Sequence, residues 1–338
     1  MSDFDFKLFK ETFTKQFGKD SLTDLMETPE QGEPGTFIPT PSQALNKVLG
    51  VGGLPVGRVI ELFGDESSGK STLALECVAA AQKAFPKLPV AYIDAENAVT
   101  VEYAKAIGVD MSAKRFLFVQ EGETEKALDM AHNFAKAGVS MVVLDSVAAL
   151  ISKRELEAQE TTESRIGGNA KALSSAMRFI VSTCAKSGTI MIAINQLREK
   201  VGVVFGNPET TTGGRALRFY SSVRLRTSIK EQLKDKNGEV VGVRVKVKCV
   251  KNKVAPPYRT GEYNLLFGEG IDRIGDLIDT SVEEGTLTKA GSHYVYAATG
   301  EKLANGREAM RLHCKADEAF TKELTESLWK PKLELKAS

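Results

Sequence analysis

A phosphate-binding loop is the feature of this sequence that most restricts its fold. Residues 64–71 read Gly-Asp-Glu-Ser-Ser-Gly-Lys-Ser and match the pattern G-x-x-x-x-G-K-[ST]. Residues 58–63 before the loop are rich in β-forming side chains and predict a buried strand, whereas residues 72–83 after it predict a helix. Glycine-rich turns also occur as ordinary turns in sheet proteins. The strand, the loop and the helix together nevertheless favour a nucleoside triphosphate site.

The loop has the chemistry that a triphosphate requires. Its glycines let the backbone curl so that successive N–H groups face phosphate oxygens, and the following helix adds the positive end of its dipole. We expect Lys70 to reach the β- and γ-phosphates and the Ser71 hydroxyl to hold Mg²⁺. The predicted nucleotide-binding residues of this segment are Gly64, Asp65, Glu66, Ser67, Ser68, Gly69, Lys70, Ser71 and Thr72.

Composition excludes several other classes of protein. The chain has 338 residues, of which 42% are hydrophobic and 26% charged, as in ordinary globular proteins with more than one domain. No apolar run is long enough to span a bilayer, and the N-terminus lacks a signal-peptide pattern, so we expect a cytoplasmic protein without a membrane partner. The four cysteines and three histidines are scattered, which favours free thiols over disulfides or a zinc site. A net charge of +1 means that any nucleic-acid binding depends on local basic patches.

The pattern of elements divides the chain into four parts. We predict an N-terminal helix and linker over 1–41, an ATPase-type α/β core over 42–268, a small α+β domain over 269–330 and a mobile tail over 331–338. Apolar residues at helical spacing indicate a helix within 4–17, which either folds back on its own domain or docks on a second copy. Residues 29–41 resemble a linker, with Thr40 as N-cap and Pro41 as first residue of a helix over 42–49.

Apolar strands alternate with helices through the predicted core. Continuously apolar strands of this kind indicate a mostly parallel central sheet that is covered on both faces. Two later segments, 221–229 and 240–250, alternate in polarity and predict an antiparallel extension around a turn at 236–238. The predicted parallel strands cover 90–94, 116–119, 141–145 and 190–195, and helices are predicted over 123–138 and 170–188.

Polar residues end three of these strands, where ligands of parallel sheets bind. We expect Asp145 to support Mg²⁺ beside the phosphate loop, although a strand-end aspartate also caps helices. Glu96 is expected to activate water for attack on the γ-phosphate, with a solvated loop residue as the alternative. The amide of Gln196, after Asn195, is suited to sense a γ-phosphate and move a loop.

A long basic loop follows Gln196. Residues 197–215 are rich in Gly and Thr and are flanked by Arg198 and Arg215. Between Arg198 and Lys230, seven basic residues face two acidic ones, and a second cluster of six basic residues occupies 244–259. Flexible backbone with basic flanks suits a phosphodiester strand, whereas a solvated basic strand face is the simpler alternative.

These motifs, in this order, resemble the bacterial and phage RecA recombinase family over nearly the whole chain. The matching segments are 15–19, 52–58, 64–71, 92–96, 144–150, 195–198, 205–214, 251–253 and 268–271. The resemblance implies ATP as the nucleotide, with Glu96 activating water and Gln196 linking the γ-phosphate to the DNA loop. It implies that Lys251 and Lys253 reach a neighbouring copy's ATP, and that the N-terminal helix docks on that neighbour.

The resemblance also assigns the remaining site residues. Tyr103 would stack near the adenine, Phe219 would lie at the interface between copies, and residues 157–165 would form the first DNA loop. The implied DNA-binding residues are Arg165, Lys171, Arg178, Arg198, Gly213, Gly214 and Arg215. The chain departs from the common family pattern at Asn97 and Thr100, where His and Asp are usual, and at Arg215, where Asn is usual.

The function implied is that of an ATP-dependent DNA recombinase. Such a protein forms a filament on single-stranded DNA and pairs that strand with homologous double-stranded DNA, in the cytoplasm of a bacterium or a phage-infected host and near the nucleoid. Two alternatives share parts of the pattern. A hexameric helicase would have the same phosphate loop and distal lysines, and a recombination mediator would coat single strands without hydrolysis.

Overall fold

The computed structural model describes residues 5–17, 36–157, 168–199 and 209–328. Arg165, residues 200–208 of the second predicted DNA loop and the predicted tail lie outside these ranges. The strands are Phe37–Ile38 (β1), Leu54–Pro55 (β2), Val59–Gly64 (β3), Val90–Asp94 (β4), Phe116–Gln120 (β5), Met141–Asp145 (β6), Ile190–Glu199 (β7), Glu209–Thr211 (β8), Val223–Lys234 (β9), Val240–Asn252 (β10), Thr260–Leu266 (β11), Gly270–Ile271 (β12), Leu287–Ala290 (β13), His293–Tyr296 (β14) and Lys302–Asn305 (β15). The helices are Phe6–Phe17 (α1), Gln43–Leu49 (α2), Lys70–Ala84 (α3), Val101–Ile107 (α4), Thr124–Lys136 (α5), Lys153–Glu157 (α6), Gly168–Ser187 (α7), Ala216–Tyr220 (α8), Arg273–Glu283 (α9), Arg307–Ala316 (α10) and Glu318–Ser327 (α11).

The large sheet confirms the predicted α/β class. Within the described residues it has ten strands in the order β12-β11-β10-β9-β3-β7-β6-β4-β5, with β8 paired to β7. Strands β9, β3, β7, β6, β4 and β5 run parallel, and β10 to β12 extend the sheet antiparallel. Separate apolar clusters cover the two faces, so the central strands are buried on both sides as their continuous hydrophobicity predicts.

Two strands differ from the sequence-based prediction for tertiary reasons. Strand β7 continues to Glu199, four residues beyond the predicted end, because Leu197–Glu199 pair with Glu209–Thr211 of β8. The base of the predicted flexible loop is therefore a short antiparallel hairpin. Strand β5 lies at the edge of the sheet, and its Phe118 side chain is 39% exposed. One face of this strand is therefore partly exposed, although its sequence is continuously apolar.

The start of helix α2 corrects the predicted cap. Ser42, rather than Thr40, is the N-cap, since its hydroxyl accepts a hydrogen bond from the Leu45 N–H at 3.0 Å. The Thr40 hydroxyl instead donates to Asn46 Oδ1 at 2.7 Å, which fixes the approach to the helix. The end of the predicted linker is also structured, because β1 pairs with β2 and Ile38 is buried.

The C-terminal part has its own small core. Helices α9 to α11 and the antiparallel sheet β13-β14-β15 enclose an apolar cluster separate from those of the large sheet. Two buried carboxylates are among the groups that attach this part to the rest. Asp276 of α9 accepts hydrogen bonds from the Gln43 N–H and the Ser42 hydroxyl, and Glu76 of α3 accepts from Arg273 of α9 at 2.8 Å. No helix in the described part of the chain combines the length and apolarity needed to cross a bilayer.

The buried carboxyl group of Asp276 predicts that the stability of the folded protein depends on pH. Burial raises the pKa of this carboxyl from 3.8 to about 7, against the hydrogen bonds from Gln43 and Ser42 that lower it. The folded protein therefore holds this proton more tightly than the unfolded chain. The resulting stabilisation is complete below about pH 4 and is lost as the pH rises through 7, and it amounts to at most about 4 kcal/mol.

We expect the free energy of unfolding of the wild type, minus that of Asp276→Asn, to decrease from about pH 5 to about pH 8. Urea denaturation at several pH values measures this difference. Glu283→Gln, at an exposed acidic residue of the same helix, serves as control and should follow the wild-type profile. A difference that stays flat or increases with pH would contradict the assignment.

Candidate active site

The phosphate loop has the geometry that its motif predicts. Strand β3 ends at Gly64 and helix α3 begins at Lys70, two residues before its predicted start. Gly69 has φ +78°, and a Cβ there would lie 2.7 Å from Leu265 Cδ1. A Cβ at Gly64 would overlap the Thr227 carbonyl oxygen. Glycine is therefore favoured at both ends of the loop, at Gly69 because its backbone is left-handed and at Gly64 because the space holds no side chain.

The Lys70 ammonium lies inside the loop. Its Nζ donates to the carbonyl oxygens of Asp65 at 2.6 Å and of Gly64 at 3.3 Å. Burial lowers the pKa of Lys70, while the nearby carboxylates of Asp145 and Glu96 act in the opposite direction. A cation held this way satisfies the loop carbonyls and is placed to transfer its hydrogen bonds to phosphate oxygens.

Asp145 ends strand β6 and is a suitable ligand for a divalent cation. Its Oδ2 accepts from the Tyr92 hydroxyl at 2.7 Å, whereas its buried Oδ1 has no hydrogen-bond donor among the described residues. Burial raises the pKa of Asp145, and the hydroxyls of Tyr92 and Ser71 lower it. The unsatisfied Asp145 oxygen and the nearby Ser71 hydroxyl are both oxygen ligands, which Mg²⁺ prefers. These residues therefore fit the predicted magnesium site.

Glu96 and Gln196 are in direct contact across the carboxyl edge of the sheet. Gln196 Nε2 donates to Glu96 Oε1 at 3.3 Å, and the Ser146 hydroxyl donates to the same oxygen. Asp94 positions the turn by accepting from the Glu96 N–H at 3.2 Å and the Val99 N–H at 3.1 Å. The predicted catalytic carboxylate and the predicted γ-phosphate sensor thus form one hydrogen-bonded unit.

Tyr103 lies beside the start of helix α3. Its hydroxyl forms a hydrogen bond of 2.8 Å with the hydroxyl of Thr72, which ties α4 to the phosphate-binding helix. Asn97, at the turn before α4, has φ +55°, a left-handed conformation that asparagine tolerates better than most residues. Thr100 is the N-cap of α4 but makes no side-chain capping bond.

The end of β7 connects the nucleotide edge to the base of the second predicted DNA loop. Asn195 Nδ2 donates to the Thr212 carbonyl at 3.0 Å, and Asn195 Oδ1 accepts from the Gln196 N–H at 2.9 Å. Gly213 and Gly214 both have positive φ and lie against α7, where a Cβ on either would approach a neighbouring side-chain carbon within 2.9 Å. The loop base is therefore held closely against the helix that carries Lys171 and Arg178.

The predicted DNA-binding side chains in the described ranges are largely exposed. Lys171, Arg178, Arg198 and Arg215 all have exposed side chains. Arg178 also has Nε 3.3 Å from the Tyr220 hydroxyl of α8. Exposed cations around a glycine-containing loop base form a surface that is suited to phosphate contacts.

Two of the predicted interface residues, Lys251 and Phe219, lie in contact. Lys251 Nζ donates to the carbonyl oxygens of Arg218 at 2.7 Å and Phe219 at 2.9 Å, and burial lowers the pKa of this lysine. Lys253 is exposed, and the Phe219 ring is 63% exposed. The structure therefore groups Lys251 with Phe219, and these hydrogen bonds of Lys251 are made to α8 rather than to the phosphate loop.

Comparison with known proteins decides the family. The model of the RecA N-terminal domain matches residues 7–272, and that of the RecA C-terminal domain matches residues 275–330. This chain belongs to the RecA family. It is 48% identical to Protein RecA of Streptomyces avermitilis over 93% of this chain and 81% of that protein. Against Protein RecA of Chloroherpeton thalassium it is 46% identical, over 92% of this chain and 84% of that protein.

Among solved structures, the crystal structure of the RadB recombinase aligns with a TM-score of 0.49 and 20% identity, over 68% of this chain and 96% of that one. Membership of the RecA family makes this chain an ATP-dependent DNA recombinase and a DNA-dependent ATPase that acts in recombination and repair.

Four residues that support this RecA-family site from behind were not singled out from the sequence. Tyr92 and Ser146 hold the carboxylates of Asp145 and Glu96, and Glu61 and Arg224 form a buried ion pair beside Asn195. Glu61 gave a signal that could have been used, since it is a carboxylate inside an otherwise apolar strand. The contacts of the other three depend on which strands are neighbours.

Proposed function

We propose that this RecA-family recombinase forms a filament on single-stranded DNA, with ATP and Mg²⁺ bound where one copy meets the next, and pairs the bound strand with homologous duplex. The observation that carries the proposal is the contact between Glu96 and Gln196, together with the continuation of that strand end through Asn195 to Thr212. The nucleotide-sensing amide of Gln196 and the base of a DNA loop at Thr212 are thereby linked through Asn195, the residue before Gln196.

The nucleotide site has a division of roles. The N–H groups of residues 64–72 and the Lys70 ammonium bind the phosphates, and Tyr103 contributes to the adenine side. Ser71 and Asp145 would hold Mg²⁺, which when bound neutralises charge on the phosphate oxygens. Glu96 orients and deprotonates the attacking water, while Ser146 and Gln196 hold its carboxylate in place.

The position of Lys251 supports a role toward a second copy. Lys251 is in register with Arg224, which is itself in register with Glu61 of β3. Gly64 comes three positions after Glu61, or about 10 Å further along the strand. Lys251 also points to the α8 carbonyls rather than to its own phosphate loop. We therefore assign Lys251 and Lys253 to a neighbour's nucleotide, so that assembly completes the hydrolytic site.

DNA contacts in this proposal are made to the backbone. Lys171, Arg178, Arg198 and Arg215 would contact phosphates, with Arg165 from outside the described residues, and Gly213 and Gly214 would allow close approach of the strand. Contacts of this kind carry no sequence information, so homology is recognised by base pairing between strands. We place this activity in the cytoplasm, at the nucleoid DNA.

Replacing the exposed Phe219 ring should specifically weaken self-assembly. Phe219→Ala should shift assembly on an oligonucleotide to higher protein concentration by about tenfold or more, because exposed aromatic residues often dominate interfaces. Light scattering or sedimentation against protein concentration measures the shift. Phe179→Ala is a matched control, since the Phe179 ring is also 63% exposed. Equal behaviour of the two variants would remove Phe219 from the interface.

One pair of assays tests the proposal as a whole. ATP turnover is measured with and without single-stranded DNA, and joint-molecule formation is measured with a homologous duplex. DNA-stimulated turnover with homologous pairing is the expected result. Duplex unwinding without pairing would favour the helicase, and DNA binding without any turnover would favour the mediator.

A further inference from the structure

The central strand of the sheet contains a fully buried carboxylate. All six residues of β3 are buried, and Glu61 has no exposed surface. Its Cα partners are Arg224 on β9 and Ala193 on β7. A carboxylate in this position is destabilising unless other groups donate to both of its oxygens.

Two side chains from the neighbouring strands donate to Glu61. Arg224 Nε donates to Oε2, and Asn195 Nδ2 donates to Oε1 at 3.1 Å. The Arg224 guanidinium also lies 4.5 Å from the centroid of the Phe63 ring, so its orientation is fixed from a second side. Glu61 and Arg224 therefore form a rigid pair within strands β3 and β9.

The amide of Asn195 is the link from this pair to the loops. Its Nδ2 donates both to Glu61 and to the Thr212 carbonyl, and its Oδ1 accepts from the Gln196 N–H. Both donor hydrogens and the acceptor of one side chain are thus in use. With Glu61 in place, Asn195 has a single orientation in which Thr212 and Gln196 are joined.

We propose that Glu61 is a positioning residue for the DNA-stimulated ATPase activity, acting through Asn195 on Thr212 and Gln196. This inference rests on the proposed function of the loop at Thr212 and of Gln196. Glu61 touches neither nucleotide nor DNA. Its role is to fix the orientation of the Asn195 amide. When DNA displaces the loop base at Thr212, a fixed amide moves Gln196 and Glu96 with it, whereas a freely rotating amide would not.

The test removes the acceptor for Asn195 without leaving a buried charge unpaired. In Glu61→Leu/Arg224→Leu both ionic groups are replaced by apolar ones, a change that proteins often tolerate. We expect ATP affinity and turnover without DNA to remain within about twofold of wild type, whereas stimulation by single-stranded DNA falls at least about fivefold. Glu61→Gln/Arg224→Leu restores an acceptor oxygen for Asn195 without the ion pair, and we expect it to recover the stimulation.

A second buried pair provides the control. Glu76 also has no exposed surface, but the hydrogen bonds that it accepts come from Arg273 of α9 at 2.8 Å and from the Ile271 N–H of β12. Glu76→Leu/Arg273→Leu should lower the thermal unfolding temperature and leave the stimulation ratio unchanged. If the Glu61→Leu/Arg224→Leu chain does not fold, Asn195→Leu tests the same link with the ion pair intact and should lose the stimulation.

The outcomes separate this inference from the proposed function. A wild-type protein without DNA stimulation would overturn the proposed function. A stimulated wild type together with full stimulation in Glu61→Leu/Arg224→Leu, or in Asn195→Leu, would overturn the role of Glu61. Equal loss in the Glu76 control, or no recovery in Glu61→Gln/Arg224→Leu, would show that the effect reflects general destabilisation and would also overturn it.

Discussion

Lys70→Ala is expected to abolish detectable ATP binding. The Lys70 ammonium is buried against the Asp65 and Gly64 carbonyls, where phosphate oxygens would replace those acceptors. Removing a buried partner of a charged phosphate costs several kcal/mol, and about 3 kcal/mol already corresponds to more than a hundredfold loss of affinity. Calorimetric titration with ATP and Mg²⁺ measures the effect, and filament formation that depends on ATP should be lost with it.

The same variant should fold normally without nucleotide. Burial lowers the pKa of Lys70 and therefore destabilises the charged form of this lysine when no nucleotide is bound, so removing the side chain relieves that cost. We therefore expect the nucleotide-free unfolding midpoint to stay near that of the wild type, while the increase on adding ATP disappears. Lys83→Ala, at an exposed lysine of the same helix, is the control and should bind ATP normally. Retained ATP affinity in Lys70→Ala would contradict the assigned phosphate-binding role.

Glu96→Gln is expected to separate binding from hydrolysis. The amide oxygen of glutamine can still accept from Ser146 and Gln196, so the hydrogen-bonded unit at the strand ends should persist. The variant has no carboxylate to take a proton from water, and general-base catalysis contributes about a hundredfold to ten-thousandfold. We expect ATP and DNA binding close to wild type, with phosphate release in the presence of single-stranded DNA reduced by that range.

Glu102→Gln provides the comparison for Glu96→Gln. Glu102 is an exposed glutamate on the neighbouring helix α4, and its loss should leave turnover unchanged. Steady-state phosphate release and filter binding of labelled oligonucleotide are measured on both variants. If Glu96→Gln hydrolyses ATP at the wild-type rate, Glu96 is not the base, and another group must activate the water.

The sequence alone was enough to predict the elements whose pattern is local. The phosphate loop, its flanking strand and helix, and the parallel strands β4 to β7 follow from continuous apolar runs and from the spacing of two glycines in the loop motif. Asp145, Glu96 and Gln196 were expected at one edge because strand ends of a parallel sheet converge there, and the Glu96–Gln196 contact agrees with that expectation.

The missed features depend on which elements are neighbours in space. Ser42 is the cap of α2 because Asp276, more than two hundred residues away, binds the same helix start. Strand β7 extends because β8 returns to pair with it, and the partner of Glu61 comes from β9. Periodicity describes one segment at a time and has no information about such pairs.

Mixing two inactive variants tests the shared site most directly. Lys251→Ala/Lys253→Ala keeps Glu96 but lacks the lysines assigned to a neighbour's nucleotide, whereas Glu96→Gln keeps those lysines. In a head-to-tail assembly with random order, about one contact in four would join an intact Glu96 to intact lysines. Equal amounts of the two variants on single-stranded DNA should therefore regain about a quarter of the wild-type ATP turnover. A mixture that hydrolyses ATP no faster than the sum of its components would contradict a hydrolytic site shared between copies.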